Sequence, residues 1–207
     1  MNTESQGQNS NENSYSLDQN FWETRWKNHQ TGWDIGYPSP AISDFFENYP
    51  DKSISVLIPG CGNAYEAEFL YRKGFSNISL IDISSPVVER LKSKYRNDPQ
   101  MTIIHGDFFE HLGQYDLIIE QTFFCAINPK KRRDYVEKAS SLLKDKGQLV
   151  GVLFNREFET AGPPFGGSEE EYKKLFETSF DIKIMEECRN SIPPRRGSEL
   201  FIHFQKK

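Results

Sequence analysis

Between residues 54 and 155 short apolar runs alternate with segments of helical periodicity, and that alternation leaves the chain few architectures to fold into. ISVLIP (54–59), SNISLIDIS (76–84), MTIIHGDFFE (101–110), YDLIIEQTFF (115–124) and QLVGVLFN (148–155) read as strands, the third with its exit loop. AYEAEFLYRKG (64–74), PVVERLKSKYR (86–96) and PKKRRDYVEKASSLLKDKG (129–147) read as helices. Gly74 closes the first of these, and Pro86 sits in the first turn of the second. Strands separated by helices of this length imply βαβ units and a parallel sheet with helices on both faces. After residue 167 the pattern changes. SEEEYKKLFETS reads as a helix, but FDIKIMEEC and ELFIHFQ follow as two strands with no helix between them. An antiparallel hairpin should therefore complete a mostly parallel, seven-stranded, Rossmann-like α/β sheet.

The ends and the composition set the remaining bounds. Residues 1–16 are polar, rich in Asn, Ser and Gln, and have nothing to bury, so disorder is expected there and one domain over 17–207. Thirty acidic against 25 basic residues give a net charge of −5, which argues against a nucleic-acid or membrane-surface partner. No apolar run approaches the roughly 20 residues of a membrane span, and the first residues lack the apolar core of a signal peptide. A cytoplasmic monomer acting on a small molecule is the expectation. Cys61, Cys125 and Cys188 form no CxxC pair and the four histidines are scattered, so free thiols and no metal site are expected.

Chemistry concentrates where the first two strands end. Pro59-Gly60-Cys61-Gly62-Asn63 follows the first strand, and glycines there let the backbone turn sharply and approach a ligand. Asp82 closes the second strand about 20 residues on, where an acid can accept hydrogen bonds from both ribose hydroxyls. Its alternative role is to cap the helix at Pro86, which Ser84 or Ser85 would do more naturally. A dinucleotide site wants a third glycine where Tyr65 stands, whereas an adenosyl sulfonium has no pyrophosphate and no such need. Asp107, after the third strand, is placed to receive the adenine amino group while Phe108 packs on the ring. The set favours S-adenosylmethionine over a nicotinamide dinucleotide.

FWETRW…GWD.G.P.P, VLIPGCGNAYE, LIDIS, GDFF, YDLIIEQTFFCAI, LLKDKGQL, GPPF and SIPPRRG run in order from Phe21 to Gly197. In these residues the chain resembles the thiopurine S-methyltransferase superfamily, and within it the plant halide/thiol (thiocyanate) methyltransferases. The resemblance implies that Trp22, Trp26 and Trp33 belong to an aromatic lid over 17–40, which closes on the cofactor. It also implies that Gly60, Asp82, Asp107, Phe108 and Gln121 contact S-adenosylmethionine, with S-adenosylhomocysteine as product. Two departures stand out: Phe154-Asn155 replaces a tyrosine–proline pair, and Asn63-Ala64 replaces a glycine and a histidine.

A soft anion such as a thiolate, bisulfide, thiocyanate or iodide needs no general base, so no catalytic residue is predicted. Tyr37, Phe124, Phe154 and Phe165 should wall the acceptor side, and Arg156, Arg195 or Arg196 should offer positive charge. Cys125 reads as packing or pocket wall. The alternatives are a thiopurine-like or metalloid acceptor, or a protein that binds the cofactor without turnover.

Overall fold

The computed structural model describes residues 16–207, so the polar stretch expected to be disordered lies, except for Ser16, outside the described residues. Five parallel strands form most of a single seven-stranded sheet: β1 (Val56–Pro59), β2 (Ile78–Asp82), β3 (Met101–His105), β4 (Tyr115–Gln121) and β5 (Leu143–Phe154). β6 (Phe180–Glu187) and β7 (Glu199–Lys206) form the expected antiparallel hairpin. The order is β3-β2-β1-β4-β5-β7-β6, so the last strand pairs with β5 and β6 takes the edge.

Alternate residues of each central strand feed two cores. Leu57, Ile81, Ile118 and Leu149 pack on one face with α5 (Arg132–Leu142) and α6 (Glu169–Phe176), through Tyr135, Val136, Tyr172 and Phe176. Val56, Ile58, Leu80, Leu117 and Val150 pack on the other with α2 (Pro40–Phe46), α3 (Tyr65–Arg72) and α4 (Ser85–Lys94). Every residue of β1 and β2 is buried, which is why these strands read as unbroken apolar runs. α1 (Gln19–Lys27) has no fully buried residue and meets the second core only through the partly buried Trp26.

Two elements differ from the sequence reading. α2 is an addition to the helices read from the sequence: Pro40 opens it in the first turn, and Ile42 and Phe46, four apart, are both fully buried. The helix expected over 129–147 is a short 3-10 turn (Pro129–Lys131) followed by α5, which ends at Leu142. From Leu143 the chain is already strand: Leu143 pairs with Tyr115, and the register then shifts so that Gln148 meets Leu117. LKDK is a good helical string, but strand pairing, with Lys146 in the left-handed region at φ +61°, overrides it.

Candidate active site

The chain runs outward from β1 to β2 and β3, then crosses back to β4, which makes the β1–β4 junction a topological switch point. A ligand crevice is expected beyond the carboxyl ends of the strands at such a point. A cavity of about 820 Å³ lies there, lined by Gly60 and Gly62 after β1, Asp82 after β2, Asp107 and Phe108 after β3, and Phe123 after β4.

The glycine turn is specific at the atomic level. Gly60 (φ +55°) and Gly62 (φ +52°) both occupy the left-handed region, and a Cβ at Gly60 would run into the Phe123 ring. A Cβ at Gly62 would stand 3.3 Å from Trp26 Cζ2, so the Trp26 ring packs directly on the turn. Asp82 faces the turn: its Oδ2 accepts from the Gly62 N–H at 3.0 Å and its Oδ1 from the Ser84 N–H at 2.9 Å. Burial pushes its carboxyl above the usual aspartate range, against the pull of those two N–H groups and Arg90. The capping expectation is corrected here. The Ser84 hydroxyl makes no cap bond and is buried without a partner, and Asp82 instead holds the backbone that enters α4. Asp107 Oδ1 accepts from the Phe109 N–H at 2.9 Å, and the Phe108 ring stacks on Tyr135 at 5.4 Å.

α1 starts at Asp18, whose carboxylate caps the Phe21 N–H at 3.0 Å. Trp22 and Trp26 each meet the Trp33 ring edge-on, at 5.6 and 5.8 Å between centroids, and all three line the cavity. This aromatic segment is tied down at four places. Glu23 accepts from the Ser85 hydroxyl and N–H at 2.7 and 3.2 Å, and Gln19, Ser85 and Lys27 together hold its carboxyl down at about 2. Asp34 binds the Asn63 amide and the Tyr65 hydroxyl. Glu66 accepts from the Ser39 N–H at 2.9 Å, and Arg195 donates to the Trp33 carbonyl at 2.9 Å.

The sequence reading missed Glu120. This carboxylate is fully buried inside β4 and accepts from the Phe123 and Phe124 N–H groups at 2.9 and 2.8 Å and from the Tyr135 hydroxyl at 2.7 Å. It folds the loop after β4 back over the glycine turn, through Thr122 at φ +61°. A glutamate within the apolar run YDLIIEQ was the available signal.

Of the residues expected to meet the acceptor, Phe154, Arg156 and Arg195 line the cavity, joined by Cys125, Phe158 and Lys131. Arg195 is largely committed to the protein: it reaches Glu199 at 3.4 Å and lies over the Phe154 ring at 5.4 Å, besides holding Trp33. Three expectations are corrected. Phe124 lies in the core among Tyr135, Tyr172 and Phe176, because Glu120 turns its backbone inward. Phe165 bonds the Cys125 carbonyl through its N–H but does not line the cavity, where Pro163 and Pro164 stand instead. Arg196 is exposed and outside the lining. Tyr37 and Gln121 line a smaller adjoining cavity of about 50 Å³.

An adenosyl group without phosphates fits this donor and acceptor set. Tyr65 fills the position a pyrophosphate turn keeps for glycine, two carboxylates and aromatic walls face the cavity, and the buried Gln121 Oε1 has no partner and awaits a donor.

Known proteins point the same way. The sequence profile of the thiopurine S-methyltransferase family matches residues 17–203. Probable thiol methyltransferase 2 of Arabidopsis thaliana is 31% identical, over 89% of this chain and 84% of its own length. Thiocyanate methyltransferase 1 of Brassica oleracea is 26% identical, over 92% of this chain and 87% of its own. Among solved structures, a TehB-like SAM-dependent methyltransferase from Corynebacterium glutamicum superposes with a TM-score of 0.65 at 16% identity, covering 91% of this chain and 98% of that one, a likeness of fold. The chain belongs to the thiopurine S-methyltransferase family and is an S-adenosylmethionine-dependent methyltransferase.

Proposed function

We propose that the protein transfers the methyl group of S-adenosylmethionine to a small soft nucleophile: a thiolate, or a related sulfur or halide anion. One observation carries this choice of acceptor. Among the described residues no histidine lines the cavity, and the thiol on its acceptor side, Cys125, is pushed up to about 12 by burial. No group there is suited to take a proton near neutrality, so the acceptor must arrive already nucleophilic, as a thiol with a pKa near 8.5 partly does. Arg25, Lys131 and Arg156 on the walls favour an anion. The names of the plant relatives, thiol and thiocyanate methyltransferase, are in keeping with that chemistry.

The bound cofactor supplies a methyl group on a sulfonium, which leaves as a neutral thioether. The protein's part is binding, alignment and exclusion of water. Asp82 receives the ribose hydroxyls, Asp107 the adenine amino group, and Phe108 packs on the ring. Gly60 and Gly62 allow close approach, and Gln121 offers its free oxygen. Trp22, Trp26 and Trp33 form the lid, their rings favourable neighbours for a sulfonium cation. Phe154 and Arg156 shape the acceptor side, whereas Arg195 acts mainly by holding Trp33. One methyltransferase domain over 17–207, with its lid over 17–40, carries the whole activity, as a cytoplasmic monomer with small molecules as its only partners. No helix among the described residues is long and apolar enough to cross a membrane.

Calorimetry with S-adenosylhomocysteine, followed by turnover with bisulfide, thiocyanate, iodide and a thiophenol, tests this reading. Micromolar binding with methylation of the sulfur nucleophiles is expected. Binding without turnover on any of them would overturn the acceptor class, and no binding would overturn the site.

A further inference from the structure

The smaller cavity beside the glycine turn is built differently from the main one. Its walls include Asp34, Glu66 and Gln121, and it shares Gly60, Gly62, Trp26 and Trp33 with the main cavity, while neither Asp82 nor Asp107 reaches it. Glu66 stands in the first turn of α3 and is only 6% exposed. Its Oε1 accepts from the Ser39 N–H, and among the described residues the charged group acting on it is the like-signed carboxylate of Asp34. Burial, and then Asp34 to a smaller degree, push the Glu66 carboxyl up against the pull of the backbone N–H groups, as expected of a carboxylate without a counter-ion. Gln121, whose Oε1 is buried and has no partner, is another residue lining this cavity.

Among the described residues Glu66 has no cation and the Gln121 amide oxygen no donor, each a costly arrangement, and both residues line one space of about 50 Å³. What satisfies both is a compact group with positive charge and several N–H donors, and a primary ammonium has that chemistry. S-adenosylmethionine carries one on its methionyl arm, away from the adenosyl end assigned to Asp82 and Asp107. We propose that Glu66, together with Gln121, receives the α-ammonium group of the cofactor's methionyl arm in the smaller cavity. The assignment rests on the cofactor placement given above. It also links cofactor to lid, because the same carboxylate holds the Ser39 N–H at the end of the aromatic segment.

The test compares S-adenosylhomocysteine with its deamino analogue, the same thioether with the α-amino group replaced by hydrogen, by calorimetry on the wild type and on Glu66→Gln. The wild type should prefer the amino form by roughly 10- to 100-fold, the range for a hydrogen bond to a charged group. In Glu66→Gln that preference should shrink to a few-fold, through weaker binding of S-adenosylhomocysteine and unchanged binding of the analogue. Glu66→Gln keeps the shape and removes an unpaired buried charge, so a thermal midpoint at or above that of the wild type shows that it folds. If Glu66→Gln keeps the full preference, or the wild type has none, the inference fails while the cofactor site stands. If the wild type does not bind S-adenosylhomocysteine, the cofactor site itself falls.

Discussion

A carboxylate inside a central strand is destabilising unless something is gained from it, and at Glu120 the gain is a loop. Its three hydrogen bonds fix the return of residues 122–124, which brings Phe123 over Gly60 and sends Phe124 into the core. Burial raises the Glu120 carboxyl from 4.5 to about 7, against the pull of its three donors. The folded protein thus holds this proton more tightly than the unfolded chain does. Stability relative to Glu120→Gln should be greatest near pH 4.5 and fall as the pH rises to about 7, then level off. Urea unfolding of both proteins at pH 5, 6, 7 and 8 measures that difference, and a difference independent of pH would show that Glu120 does not titrate in this window. Asp82 holds the glycine turn and is the residue proposed to receive the ribose, so Asp82→Ala should show two losses. Binding of S-adenosylhomocysteine should weaken by about 100-fold, the equivalent of one strong charge-assisted hydrogen bond. Stability should drop by about 1–3 kcal/mol, because the Gly62 and Ser84 N–H groups lose their acceptor. At this scale the gathering of Asp82, Asp107 and the glycines on one cavity was legible, because all of them stand just beyond the ends of neighbouring parallel strands. Phe124 was misread because nothing in FFCAI tells which phenylalanine faces inward; a carboxylate three and four residues earlier decides it.

Among the elements, α1 differs most from the rest. It has no fully buried residue and is held by Glu23 and by the tryptophan contacts, so its opening should cost far less than global unfolding. Amide exchange over Gln19–Lys27 should be fast in the free protein and slow at least about tenfold with S-adenosylhomocysteine, while β1, β2 and β4 exchange slowly in both states. Equal protection of α1 with and without ligand would mean that the lid does not respond to the cofactor. Arg195 reaches this segment from the far end of the chain, and Arg195→Ala should weaken cofactor binding about 5- to 10-fold, the loss of roughly one net hydrogen bond or a little more. A loss confined to acceptor KM would instead return Arg195 to the substrate. The existence of the strands and long helices was legible from periodicity. The start of β5 was not, since helix-forming residues at 143–147 are drawn into the sheet by their partner strand, and pairing with a residue nearly thirty positions away leaves no local mark.

For the whole molecule, the placement of β7 matters most. Its pairings with β5 and β6 join the C-terminal hairpin to the parallel strands, and Phe204 packs with Phe176 and Phe180 beneath it. Deleting residues 199–207 should leave β5 and β6 with unpaired edges and a gap in the core, and the truncated protein should be recovered mainly as aggregate. A soluble, monomeric truncation with native circular dichroism would contradict this. The order of assembly on the ribosome follows from the same arrangement. Chains fold from the N-terminal end as they emerge, at roughly 5–20 residues per second. β6 leaves the exit tunnel before β7, but it has no neighbour to join until β7 has followed it. Between the emergence of β6 and that of β7, the nascent protein carries an open sheet edge at β5 and an idle strand, and during that interval it is most in need of a chaperone.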